Sequence, residues 1–386
     1  MKDHFEIAKE LIPWASQTRS KSYRRFPDNY PRFVDYGIGG CFVRCRDAYY
    51  LDFISALGPI ILGYRDCDVD SQVMEQIRDS GNVFSLPHKL EIEVAEMLNR
   101  IISCAEMVCF LKNGGDTTMA AVRLAKIVTG RKIVLNRGYH GWAVFDQLTP
   151  FTSISELEEW GTGLAAVLIE PELFAQFELI EIKALCRDYG AVLIFDEVIS
   201  GFRIRMGGIQ ELYGVIPDLA CFSKAMANGY PISALVGKKE LMKRLEEDIF
   251  VSTTFGGDTI GLAAAKATVQ KMEKVNCIDH LWKVGSYLKV NLGELIKKHD
   301  FPMQLYGFPP MIHFKIPQDL HPLFLQETIK RGVMIYNSHN LNYCHKEREI
   351  DVLLEVYDEI FPLVKEGKVG LEGNPVGNVQ LLRQWR

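Results

Sequence analysis

Lys224 stands in Phe222-Ser223-Lys224-Ala225-Met226-Ala227-Asn228-Gly229, and upstream of it Asp196 ends the apolar run Ala191-Val192-Leu193-Ile194-Phe195. A lysine set among small residues after Leu219-Ala220-Cys221-Phe222 is held where desolvation lowers its pKa, which frees a neutral amine for Schiff-base formation. Asp196, followed by Glu197, falls at the C-terminal edge of a buried strand, where open α/β sheets collect their ligands. A carboxylate for a protonated pyridine nitrogen and a lysine for an aldehyde carbon are the two contacts that pyridoxal phosphate chemistry requires.

Three further segments carry chemistry. Asn113-Gly114-Gly115-Asp116-Thr117 lies between a strand and a helix; its glycines let backbone N–H groups approach a phosphate at a helix N-terminus. A plain glycine turn with Asp116 or Thr117 as N-cap accounts for it as well. The absence of a Gly-Lys-Ser/Thr ending argues against a nucleoside triphosphate loop. In Gly138-Tyr139-His140-Gly141-Trp142, Tyr139 is the candidate to stack on a flat ring, His140 a hydrogen-bonding residue, and Trp142 a core aromatic. Val198, two residues past Asp196, is expected on the same strand face, against the other side of the ring. Thr253-Thr254-Phe255-Gly256-Gly257-Asp258 offers hydroxyls and glycines before a helix, and reads either as a second phosphate anchor or as a helix cap.

The elements that position these residues are legible from about residue 105, where short apolar runs alternate with amphipathic segments, the pattern of a parallel sheet flanked by helices. Strands are expected at Met107–Leu111, Lys132–Leu135, Leu164–Glu170 and Ala191–Asp196, with helices over Thr117–Val128 and Glu178–Tyr189. Strands this apolar are covered on both faces. Before residue 60 the chain reads as an antiparallel meander through Gly40–Cys45 and Ala48–Phe53. The C-terminal third carries a helix over Gly261–Met272 and long amphipathic stretches near 278–299, 321–331 and 348–364, which suggest a second α/β layer, and Gly367–Arg386 reads as a loosely ordered tail.

Composition narrows the class. The chain has 386 residues and a net charge of −5, with no global basic field for nucleic acid. Nine cysteines are scattered, several within apolar runs, which fits reduced thiols in the cytosol. Cys41 and Cys45 have no second ligand pair at zinc spacing, so no metal is expected. No stretch approaches the ~20 apolar residues that span a bilayer, so the expectation is a cytoplasmic protein without a membrane partner.

The order of phosphate cup, aromatic platform, strand-terminal aspartate, lysine and threonine-glycine loop resembles the class III, fold type I pyridoxal phosphate aminotransferases, in particular the glutamate-1-semialdehyde 2,1-aminomutase branch. Phe195-Asp196-Glu197-Val198-Ile199-Ser200-Gly201-Phe202-Arg203, Phe222-Ser223-Lys224 and Ala56-Leu57-Gly58-Pro59-Ile60-Ile61-Leu62-Gly63 carry the likeness, which covers nearly the whole chain. The resemblance implies an α/β large domain with a mostly parallel seven-stranded sheet flanked by helices, and a small α+β domain from both chain ends. The boundaries read as 1–60 and 263–386 for the small domain and 61–262 for the pyridoxal phosphate-binding domain.

By the same resemblance Lys224 forms the Schiff base and shuttles the proton, Asp196 holds the ring nitrogen protonated, and Tyr139 and Val198 sandwich the ring. Asn113, Gly114 and Gly115 bind the phosphate, His140 and Glu170 support the cofactor, and Thr254 reaches the neighbouring subunit's phosphate in an obligatory homodimer. The implied reaction moves an amino group from a small-molecule donor such as glutamate, through the pyridoxamine form, to an aldehyde or ketone acceptor. An intramolecular aminomutase is the alternative, and a catalytically silent binding module the third reading. Departures from the branch weigh against the aminomutase: Leu57 stands where it carries Trp, Ser338-His339-Asn340-Leu341 has no acid, and the loop after Glu170-Pro171 is short. Arg19 and Arg203 stay open between substrate-carboxylate contacts and, respectively, a solvated side chain and a structural ion pair.

Overall fold

The computed structural model describes residues 3–247 and 249–373, so the tail expected at Gly367–Arg386 lies outside it from 374 onward. Its contacts divide into two units, one of residues 56–62 and 66–279, the other, among the described residues, of 3–55, 63–65 and 280–373.

The larger unit is built on seven strands: β1 Met107–Leu111, β2 Ile133–Arg137, β3 Thr149–Pro150, β4 Leu164–Ile169, β5 Val192–Asp196, β6 Leu219–Phe222 and β7 Ser233–Gly237. Their order across the sheet is β1-β7-β6-β5-β4-β2-β3. β7 runs antiparallel to both neighbours, and the pairings among β2 to β6 are parallel. Every residue of β4 through β7 is buried apart from the chain around them, as expected of strands covered on both faces. Helix Gly114–Thr129 lies on one face, where Ala120, Ala121 and Ala125 keep it close to Leu168, Ile194 and Leu235. The register pairs Arg137 with Ile169, Ile169 with Phe195 and Asp196 with Cys221, so the residues that leave β2, β4, β5 and β6 emerge side by side at one edge.

The smaller unit holds a four-stranded sheet of Tyr36–Ile38, Phe42–Cys45, Ala48–Asp52 and Val333–Met334. The meander expected there is present, with Phe42 opposite Leu51, and Val333–Met334 joins it in parallel. A three-stranded sheet, Gln304–Phe308, Met311–Lys315 and Ser338–Asn340, is covered by helices His321–Lys330 and Glu347–Lys365. Its core is aromatic: Phe301 stacks on Phe361 at 4.2 Å, and Tyr357 lies between Phe324 and His339.

Candidate active site

The aligned strand ends put Gly138–His140, Glu170, Asp196 and Lys224 at one edge of the larger unit's sheet. Asp196 is buried and held at both oxygens: Oδ2 lies 2.8 Å from His140 Nδ1, and Oδ1 accepts the Val198 amide at 3.1 Å. His140 is itself fixed through its carbonyl, which accepts the Thr118 hydroxyl at 2.6 Å. The helix that starts at Gly114 thus braces the histidine that braces the aspartate.

Lys224 follows β6 in a left-handed conformation with φ 44°, a backbone state that costs about 1–3 kcal/mol for a non-glycine residue and marks functional sites. Ser223 secures the turn by donating to the Ile232 carbonyl at 2.9 Å, and Asn228 Oδ1 accepts the amides of Ile61 and Leu62 at 3.0 and 2.9 Å. Burial pushes the Lys224 ammonium below the usual lysine range, against the fields of Asp196, Glu170 and Glu172. A lysine whose ammonium is disfavoured by burial gives up its proton more readily, which is what a carbonyl-binding nucleophile needs.

Arg203 is fully buried, and its Nη2 donates to the Gly58 carbonyl at 2.7 Å, so it holds the Ala56–Leu62 segment near the lysine. Arg19 is exposed in the smaller unit, its guanidinium 5.6 Å from the Trp14 ring centre.

The glycine cup starts the helix Gly114–Thr129. Asp116 Oδ2 accepts the Asn113 amide at 2.9 Å and its Nδ2 at 3.1 Å, so Asn113 is the N-cap and Asp116, inside the first turn, closes a capping box on it, which corrects the expectation of Asp116 or Thr117 as the cap. The backbone approach at this place leaves no room for side chains: a Cβ on Gly114 would lie 2.8 Å from both γ-carbons of Val198, and one on Gly141 2.8 Å from the Gly115 Cα. Val198 reaches the cup from a turn. β5 ends at Asp196, so the alternation expected along a strand does not place it, and the Val198 amide bond to Asp196 does. Tyr139 is 54% exposed at the mouth of this edge. Trp142 is 86% exposed, which corrects the expectation of a core aromatic. Thr254 is exposed in the loop before helix Thr259–Lys274, whose N-cap is Asp258.

Two carboxyls escaped the sequence reading. Glu172 Oε2 is buried without a hydrogen-bond partner, and burial beside Glu170 raises its pKa well above the carboxylate range. Glu197 is fully buried, accepts from the Ser200 hydroxyl and the Ile209 and Gln210 amides, and is pushed up to about 7 by desolvation. The density of acids at 170, 172, 196 and 197, each at or just past the end of a buried strand, is the signal that points to them.

A partly desolvated amine, a carboxylate fixed by a histidine and a helix N-terminus cleared of side chains fit pyridoxal phosphate, and with this sheet they define a pyridoxal phosphate-dependent transferase of fold type I. Residues 146–347 match the family model of class III aminotransferases. The chain is 32% identical to the 3-aminobutyryl-CoA aminotransferase of Cloacimonas acidaminovorans over 91% of its own length and 94% of that protein. It is 27% identical to the glutamate-1-semialdehyde 2,1-aminomutase of Clostridium beijerinckii, over 96% of this chain and 99% of the other. The solved FumI protein of Sphingopyxis sp. MTA144, in its PLP internal aldimine form, superposes with a TM-score of 0.88 at 27% identity, covering 95% of this chain and 97% of that one. An omega-transaminase from Sphaerobacter thermophilus shares the fold at a TM-score of 0.84. The chain belongs to the class III aminotransferases, enzymes that use pyridoxal phosphate. Among the described residues, no helix is long and apolar enough to cross a membrane.

Proposed function

We propose that this protein is a cytoplasmic, homodimeric transaminase that takes an amino group from an amino-acid donor such as glutamate and delivers it to an aldehyde or ketone. The observation that carries the assignment of roles is the desolvated Lys224 at the strand edge that also holds Asp196. When bound, pyridoxal phosphate supplies an electron sink for the substrate's α-carbon. Lys224 is the residue that holds it covalently through Nζ and, once released, carries the proton on that same atom. Asp196 keeps the pyridine nitrogen protonated, and the His140 contact keeps its carboxylate aimed. Tyr139 and Val198 bound the ring, while the amides of Gly114 and Gly115, with Asn113, receive the phosphate. Glu170 orders the same edge from the end of β4.

Support for the homodimer comes from the Thr254 loop. It is flanked by Phe250 and Phe255, which are 82% and 56% exposed, and apolar groups so placed ask for a covering surface. In this reading a second copy covers them and receives Thr254 at its phosphate.

A second reading, an intramolecular aminomutase, is favoured by the near full-length likeness to such an enzyme. The test is the absorbance of purified protein with and without L-glutamate, beside Lys224→Ala. A yellow band that is absent in the variant and bleached by glutamate establishes the amine and the donor. A band that glutamate leaves unchanged, with turnover of a single amino-aldehyde substrate and no donor, transfers the assignment to the aminomutase. A colourless protein that takes up no added cofactor overturns both.

A further inference from the structure

Lys112 is the residue between β1 and the glycine cup, and its side chain turns away from the cup to the Thr253–Asp258 loop. Its ammonium forms an ion pair with Asp258 Oδ2 and donates to the Pro231 carbonyl at 3.0 Å. The other Asp258 oxygen, Oδ1, caps helix Thr259–Lys274 by accepting the Ile260 and Gly261 amides at 3.1 Å each. Both side chains are largely buried, at 18% and 10% exposure, so neither charge is satisfied by water alone.

The loop is held a second time, at β1 itself. A Cβ on Gly256 would lie 2.6 Å from the Phe110 carbonyl, a closeness only glycine permits, and Phe110 belongs to β1. The loop's base is therefore fixed at Phe110 of β1 and at Lys112 just past it, while Thr254 and Phe255 at its tip face outward. Backbone geometry fixes the approach at Phe110; only the ion pair fixes the loop to the residue that opens the phosphate cup.

We infer that Lys112 is a positioning residue: through Asp258 it sets the Thr253–Asp258 loop so that Thr254 is presented to a second copy, coupling each subunit's own cup to the neighbour's phosphate contact. This rests on the dimeric reading above. Lys112 touches neither the cofactor nor the substrate in this role. Its loss is felt as weaker retention of pyridoxal phosphate and a weaker dimer together, with Lys224 and Asp196 undisturbed.

The experiment measures the cofactor dissociation constant and the dimer dissociation constant for the full chain and for Lys112→Met, Lys112→Arg, Asp258→Asn and Thr254→Ala. Asn is as good an N-cap as Asp, so Asp258→Asn removes the ion pair and keeps the helix cap. Lys112→Met and Asp258→Asn should each weaken cofactor binding by about tenfold, a size usual for coupled neighbours, and should not add in the double variant. Lys112→Arg should restore most of the loss. Thr254→Ala should weaken cofactor binding without changing the dimer constant much. If Thr254→Ala weakens binding and neither Lys112→Met nor Asp258→Asn does, the inference is wrong and the dimeric reading stands. If Thr254→Ala has no effect on cofactor retention, the reading of Thr254 itself fails, and the inference with it.

Discussion

His140 Nδ1 lies 2.8 Å from Asp196 Oδ2, and both side chains are buried. The carboxylate proposed to face the pyridine nitrogen is therefore aimed by a neighbour from another strand end, not by its own backbone alone. Replacing the imidazole by an apolar ring of similar shape leaves Asp196 with one fixed oxygen. His140→Phe should retain cofactor and slow the donor half reaction by about tenfold to a hundredfold, the range for a lost hydrogen bond to a charged group. Stopped-flow absorbance at saturating donor reads the effect; an unchanged rate would show that the Val198 amide suffices.

Asp196→Asn separates field from shape. Its negative charge opposes the burial that lowers the Lys224 pKa, so the amide should move the lysine's midpoint further down. In cofactor-free protein this is measured as the pH dependence of Lys224 modification by an amine reagent, followed by peptide mass. Transaminase activity should fall at least about a hundredfold in the same variant. A midpoint that does not move would mean that the Asp196 side chain sets no field at the lysine.

Glu197 gives a pH signature in stability. Its carboxyl is raised from 4.5 to about 7, so between those values the folded protein binds a proton that the unfolded chain does not. Stability then falls as pH rises through that window, by up to about 3 kcal/mol for this group. Glu197→Gln removes the slope. The parent's thermal midpoint should fall relative to that of this variant from pH 5 to pH 8, and a parent that gains on the variant over that range would refute the assignment.

Gly114 and Val198 form a pair that can be exchanged. Gly114→Ala drives a methyl into the valine's γ-carbons and should raise the cofactor dissociation constant by about tenfold. Val198→Ala in the same chain makes the room, so the double variant should bind better than Gly114→Ala alone. Additive losses, measured by equilibrium dialysis, would place the two residues on separate jobs.

Much of the large unit was readable in advance because its strands are continuous apolar runs and its helices are amphipathic over full turns. The apolar run Met107–Leu111 coincides with its strand end for end, and the order cup, aromatic turn, aspartate, lysine is legible because each closes or follows a strand in chain order. What escaped were relations across the sheet. Trp142 carried no period that separates a covered indole from an exposed one, and an isolated aromatic between glycines reads as core by composition alone. Val198 lies past the end of its strand, where the alternation of faces no longer holds. The pairing of Lys112 with Asp258 joins positions far apart in sequence, and nothing local announces it.

β7 is the strand that runs against its neighbours, so its first residues arrive at the sheet edge where β4, β5 and β6 finish. Three consecutive positions there speak to three different parts of the site: the Pro231 carbonyl to Lys112, the Ile232 carbonyl to Ser223 beside the lysine turn, and the Ser233 hydroxyl to the Asn113 carbonyl of the cup. The reversed strand works as a keystone between segments that the parallel strands can only deliver separately. Drift in this tripeptide would change the spacing between the lysine turn and the glycine cup at once.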